Sequence, residues 1–255
     1  MAKVVACYKW VADEADIKIK SDLTVDVTKA KGKISDYDKN AIEAAVQSAK
    51  SLGGKSVGLT FGTSKAKESL KDALSRGLEE ACWINAAEAE TADGCVTAKA
   101  LAAAVKKIGD VGLVFCAEGA SDTYARQTAP RIGAILDWPV ITSVAEMKIE
   151  GNTVTAVRRL EKCSETMKAE MPVVVAVLPE ANTPTVPGLK AVMAAGKKPV
   201  TELKTSDLAV DLTPKRKVNS VKGFAMDRKN IIFGDGDAAA KAKELALALR
   251  KEGIL

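Results

Sequence analysis

Histidine is absent from this chain of 255 residues. That removes His-based triads, His-ligated metals and the commonest general base together. Cysteine is sparse: Cys7, Cys82, Cys95, Cys116 and Cys163 are odd in number, widely spaced and form no C-x-x-C pair. This pattern argues against a disulfide scaffold or a structural zinc site and points to reduced core thiols. Aromatic residues make up only 4%, and 38 basic residues are interspersed with 33 acidic ones for a net charge of +5. A nucleic-acid surface needs clustered basic residues, so that partner class is set aside. No apolar run approaches the roughly 18–20 residues that span a bilayer. Acids at Asp13, Glu14 and Asp16 follow the first short apolar run, so no signal-peptide pattern is present, and a cytoplasmic protein without membrane insertion is expected. No G-x-G-x-x-G follows the first strand-like run, which continues CYKWVADE, and no G-x-x-x-x-G-K-[ST] occurs. A regular dinucleotide or triphosphate loop is therefore unsupported.

What is present is an alternation. The chain is 47% hydrophobic and 28% charged, and its length suits one globular domain of about 200 residues with an appendage. Up to about residue 140, short β-rich runs alternate with helical patterns. Residues 3–9 read as a strand. Residues 38–52 form a helix with Ile42, Ala45, Val46, Ala49 and Leu52 on one stripe, closed by Gly53-Gly54. Further helices are expected over 64–76 (capped by Ser64), 91–108 (starting at Thr91) and 122–136, with Pro130 marking a kink or a late start. Buried strands between helices of this length indicate an α/β fold, a mostly parallel sheet with helices on both faces. After Pro139 come a hairpin turning at Gly151-Asn152, a second strand pair (SETMKAE and MPVVVAVL), a Pro-rich stretch and a short helix over 188–198. Residues 201–255 are polar, lack periodicity until a final helix, and read as an arm on a domain of residues 1–200.

Two segments are candidate sites. At CAEGASDTYARQTAP, residues 116–130, small residues let a ligand approach the backbone, and free N–H groups at a helix start favour anions. The same segment also reads as an ordinary helix start capped by Asp122. At ISDYDKNAIEAA, residues 34–45, Ser35, Asp36 and Asp38 read as capping residues, with Ile34 and Ile42 as a staple. Glu161, Glu165, Arg158 and Arg159 read as a solvated charged face, as do Lys197 and Lys198. Trp10, Trp83 and Trp138 read as core or interface anchors.

Together these segments resemble the electron-transfer flavoprotein β family. VACYKWVADE is similar to its opening VxVKxVxD through Lys9, Val11 and Asp13. YDKNAIEAA resembles FDxNALEAA, and LTFG falls where the family has a small-residue strand end. Residues 119–139 resemble the nucleotide loop, matching at Asp122, Gln127 and Pro130. VRRLE…ETM, NTPTVPGLKAVMAAGKK and AVDLT resemble, in order, a VEREx…ET signature, the recognition loop and the start of the C-terminal arm.

The resemblance implies an adenine-nucleotide α-hydrolase-like fold and an electron-carrier subunit, not a stand-alone enzyme. It implies a larger α partner holding most of the redox FAD, and a nucleotide in this subunit, either AMP or a second FAD. It places that nucleotide on Cys7, on Ser35, Asp36 and Asp38, on Thr60, Phe61 and Gly62, and on Asp122, Ala125, Arg126, Gln127 and Thr128. It gives Glu165 to the partner's flavin domain and Leu189 to docking acyl-CoA dehydrogenases, and it implies an acyl-CoA dehydrogenase or a quinone-linked oxidoreductase as a further partner. The chain departs from the pattern at Ser35-Asp36, at Tyr124-Ala125 and at the AAG of residues 194–196, and in this it resembles the fix-type or electron-bifurcating branch, which carries the second FAD. Leu189 also reads as the buried face of a short helix. A free-standing adenine-nucleotide module of universal-stress type is the alternative function, and it leaves residues 180–255 unexplained.

Overall fold

Residues 4–7 are uniformly small or apolar, the composition of a strand covered on both faces. The computed structural model, which describes residues 2–224 and 228–255, places them at the centre of a sheet. In chain order the elements are β1 (Lys3–Cys7), β2 (Trp10–Ala12), β3 (Lys18–Ile19), β4 (Val25–Asp26), β5 (Gly32–Ile34), α1 (Asp38–Leu52), β6 (Ser56–Gly62), α2 (Glu68–Ser75), β7 (Glu80–Asn85), α3 (Gly94–Ile108) and β8 (Val111–Ala117). There follow α4 (Thr128–Leu136), β9 (Val140–Glu150), β10 (Thr153–Arg159), β11 (Ser164–Glu170), β12 (Val173–Val177), α5 (Leu189–Ala195), β13 (Val200–Lys204), α6 (Thr205–Leu208) and α7 (Ala238–Lys251).

Among the described residues nine strands form one sheet, in the order β11-β10-β9-β12-β8-β1-β6-β7-β13. From β9 to β13 all neighbours are parallel; β9, β10 and β11 pair antiparallel. Two apolar layers cover the faces. One gathers Ile42 and Ala45 of α1, Leu70 and Leu74 of α2, and Phe115 and Val175 of the sheet. The other gathers Val96 and Leu101 of α3, Ile132 of α4, and Val5, Leu59 and Val114.

Several local readings change. The strands SETMKAE and MPVVVAVL do not pair with each other: β11 ends the sheet beside β10, while β12 inserts between β9 and β8. An all-Val/Ala strand satisfies both faces only in the middle of a covered sheet, which an edge hairpin cannot offer. The second helix begins as a 3-10 turn at Ser64–Lys67 with Thr63 at its N-cap, not Ser64. The third begins at Gly94, because the Asp93 carboxylate accepts the N–H groups of Cys95 and Val96. Pro130 marks a late start: α4 opens only at Thr128. Residues 200–204, which carry no periodicity, pair with β7 as the edge strand β13, and Leu208 and Leu212 beyond them are buried.

Cys163 is exposed in the β10–β11 turn rather than a core thiol; Cys7, Cys82 and Cys116 are buried. Trp83 is buried, and Trp10 and Trp138 partly so. Lys198 is not simply solvated. Its ammonium donates to the carbonyls of Leu74 in the last turn of α2 and of Leu78 just beyond it, and partial desolvation lowers its pKa. Lys198→Met, which keeps the apolar stem, is expected to cost about 1–2 kcal/mol in urea unfolding. A loss within experimental error would show that the two carbonyls find other donors.

Candidate functional site

In an open parallel sheet, ligands sit beyond the carboxyl ends of strands where the chain's direction of travel reverses. Here that point lies between β1 and β8: from β1 the chain moves to β6 and β7, then returns through α3 to β8 on the other side of β1. A ligand crevice is expected beyond the ends of β1 and β8, and polar groups from distant segments meet there.

Behind β1 stands the start of α1. Ser35 and Asp38 are buried. The expected capping roles are not what they do: the N-cap position belongs to Tyr37, whose side chain makes no cap bond. The Ser35 hydroxyl accepts the N–H of Ser121 at 3.1 Å, across 86 residues. The Asp38 carboxylate accepts the N–H of Lys9 at 2.8 Å. Burial raises the Asp38 pKa to about 7, against the Lys9 N–H and the Ser35 hydroxyl, which lower it. Ile34 and Ile42 are both buried in the core, but with Tyr37 at the N-cap the staple positions fall on Asp36 and Ala41, so the two isoleucines are core residues and not a staple.

Over the crevice lies the segment of residues 119–127. Asp122 is not a helix cap. It pairs with the Lys9 ammonium at 2.5 Å. Tyr124 and Arg126 both hold positive φ, 44° and 57°, in the left-handed region that non-glycine residues rarely occupy. The turn folds Tyr124 back over Gly119, where a Cβ would come 2.7 Å from its ring, and edge-on to Tyr37 with centroids 5.3 Å apart. Strain at two residues within three, next to convergent polar groups, is a mark of functional segments.

Other expected residues lie around this centre. Cys7 ends β1, and Tyr8 donates its N–H to Leu59, so Thr60, Phe61 and Gly62 at the end of β6 flank it. Thr60 is fully buried, and its hydroxyl finds no hydrogen-bond partner among the described residues. An orphaned buried hydroxyl at a strand end is the kind of group a ligand satisfies. Gln127 turns toward the start of α3, with its amide oxygen against Gly94 and accepting from Arg131. Ala125 is exposed, and Thr128 is the first residue of α4. Asp36 points outward into ion pairs with Lys33 and Lys39. Glu165 and Leu189 lie on separate elements, the edge strand β11 and helix α5. Two surface clefts open elsewhere: one of about 500 Å³ is lined by Ala2, Gly112 and Pro172, and one of about 280 Å³ by Lys106, Ile135 and Leu208. Neither gathers convergent buried polar groups, so the switch point is the better site despite its covered mouth.

Glu118 belongs to the site as well, although no motif in the sequence marks it. It is buried at the end of β8, accepts the N–H of Ser143 at 2.7 Å, and lies 3.8 Å from the Arg126 guanidinium. A lone acid closing the apolar run GLVFCA was the available signal.

A family model described as "Electron transfer flavoprotein domain" matches residues 22–208. The chain belongs to the electron transfer flavoprotein family. The match runs from the β3–β4 hairpin to the end of α6 and takes in every site segment except β1 and Lys9 just after it. An electron transfer flavoprotein domain is an α/β carrier associated with flavin, and the mostly parallel nine-stranded sheet agrees with it. Among the described residues no helix is long and apolar enough to cross a membrane.

Proposed function

We propose that this chain is the β subunit of a heterodimeric electron transfer flavoprotein and binds a nucleotide, a second FAD or AMP, at the ends of β1 and β8. The observation that carries the nucleotide is the set of polar groups from distant segments gathered at that switch point, with the buried, unpartnered Thr60 hydroxyl on the neighbouring strand β6 in support. In this reading Thr60, Ser35 and the backbone of residues 119–128 hold the nucleotide, with phosphate near the start of α4. Flavin supplies the one- and two-electron chemistry; the residues here bind, orient and exclude water.

The partner reading rests on the arm. Val218, Val221, Phe224, Ile231 and Ile232 are all exposed, and α7 has no buried residue. An amphipathic helix without a core of its own is explained by a second subunit. Co-expression with a candidate α subunit, size exclusion and identification of the nucleotides released on denaturation test both parts. A tight monomer would sink the partner; a complex releasing flavin from the α subunit alone and no second nucleotide would sink the site.

Leu189 is 78% exposed and Met193 69%, so Leu189 is not the buried face of its helix. Asn40 and Glu43 of α1 brace the loop before it, through Asn182 and Thr185. An exposed leucine on a braced loop suits insertion into a partner's pocket. Leu189→Ala is expected to change stability by less than about 0.5 kcal/mol and to slow electron exchange with a dehydrogenase partner. A normal transfer rate in the folded variant would remove the docking role.

A further inference from the structure

Resting on the nucleotide reading above, the charges around the crevice say which nucleotides it admits. Lys9 and Arg126 lie among the groups gathered there, and a carboxylate already holds each. The Lys9 ammonium lies 2.5 Å from Asp122, and the Arg126 Nε lies 3.8 Å from Glu118. Glu118 is fixed in place. It is buried, and the Ser143 N–H at 2.7 Å and hydroxyl at 3.3 Å hold its two oxygens. Arg126 is held as well by the Tyr124 ring, 5.3 Å from its guanidinium carbon. Behind them Asp38 adds a third carboxyl group. The next cation along α4, Arg131, gives its Nε to the Gln127 amide, on the side facing α3.

A phosphate entering here meets backbone N–H groups and neutralised cations. Each further negative charge on the ligand gains little attraction and adds repulsion from Glu118 and Asp122. Around the buried Glu118 that repulsion is weakly screened; at the exposed Asp122 solvent and salt screen it more. We propose that Glu118 and Asp122 make the site charge-selective: it takes weakly charged nucleotides, a monophosphate or the internal pyrophosphate of a dinucleotide, and rejects nucleoside triphosphates. Glu118 and Asp122 are specificity-determining residues that act on the ligand through Arg126 and Lys9.

Equilibrium dialysis of the nucleotide-stripped full chain against AMP, FAD and ATP, without divalent cations, tests this. Wild type is expected to hold AMP or FAD at least about tenfold more tightly than ATP. Glu118→Gln keeps an acceptor for Ser143 and frees Arg126; Asp122→Asn frees Lys9 at an exposed position, where folding is not at stake. Each is expected to raise ATP affinity roughly tenfold and AMP affinity only about two- to threefold, with both gains shrinking in high salt. ATP bound by wild type as tightly as AMP, or an AMP-to-ATP ratio unchanged in both variants, overturns the selectivity while leaving the nucleotide site standing. Failure of wild type to bind AMP and FAD alike overturns the site itself.

Discussion

Replacing Asp38 with asparagine is expected to flatten the pH dependence of stability across the mildly acidic range. Asp38 ionises near 3.8 in the unfolded chain and near 7 in the folded one, because burial disfavours its charged form. Between those values the folded state holds a proton that the unfolded state has lost. The folded state is therefore favoured at the acidic end of the window, and stability falls as pH rises through it. The full loss is about 4 kcal/mol, and above the folded pKa it stays constant. Asparagine removes the titration while keeping an acceptor for the Lys9 N–H, which Asp38 meets at 2.8 Å. Denaturant midpoints at about pH 4 and about pH 8 are the measurement, bracketing this window. Wild type should lose several kcal/mol between them that the variant keeps. Equal losses in the two proteins would show that another group carries the dependence. The tolerance of such a cost suits a residue kept for the crevice rather than for folding.

The largest stability effect is expected at Phe115. It is fully buried in β8, faces the α1 side of the sheet, and has Ala6 of β1 and Val175 of β12 as register neighbours. Alanine and valine cannot swing into the space a benzyl group leaves, so Phe115→Ala should open a cavity and cost about 3–5 kcal/mol. That is a large share of the roughly 5–15 kcal/mol that holds a domain together. Phe115→Leu should cost less than about 2 kcal/mol. Urea unfolding measures both. A loss below about 1 kcal/mol for alanine would mean that α1 collapses onto the strand. Because Glu118 follows β8 directly, the alanine variant is also expected to loosen the 119–127 segment.

The elements were legible where the local signal was strong. The stripe of Ile42, Ala45 and Ala49 and the Gly53 stop gave α1 its bounds, and Gly53 takes the left-handed conformation a stop of this kind needs. The Gly151-Asn152 turn joins β9 and β10 as expected. Helix starts were less legible, since Asp93 outcompeted Thr91 and the polar run 122–127 looked helical although it folds as a strained turn. Ser35 and Asp38 were found, but as caps. Nothing adjacent to them in the chain marks their true partners.

By itself the sequence determined the α/β class, the strand–helix alternation, the Pro-rich stretch before Leu189 and the two segments that meet in the candidate site. These follow from periodicity and turn chemistry, which act over a few residues. Only the tertiary structure decided that β12 enters the sheet between β9 and β8, that Ser35 accepts from Ser121 86 residues away, that Lys9 pairs with Asp122 113 residues away, and that a buried Glu118 holds Arg126. The reason is physical. Strand order and ion pairing are settled by which faces must be covered and which charges must be neutralised once the chain is compact, and no short window of sequence contains both partners.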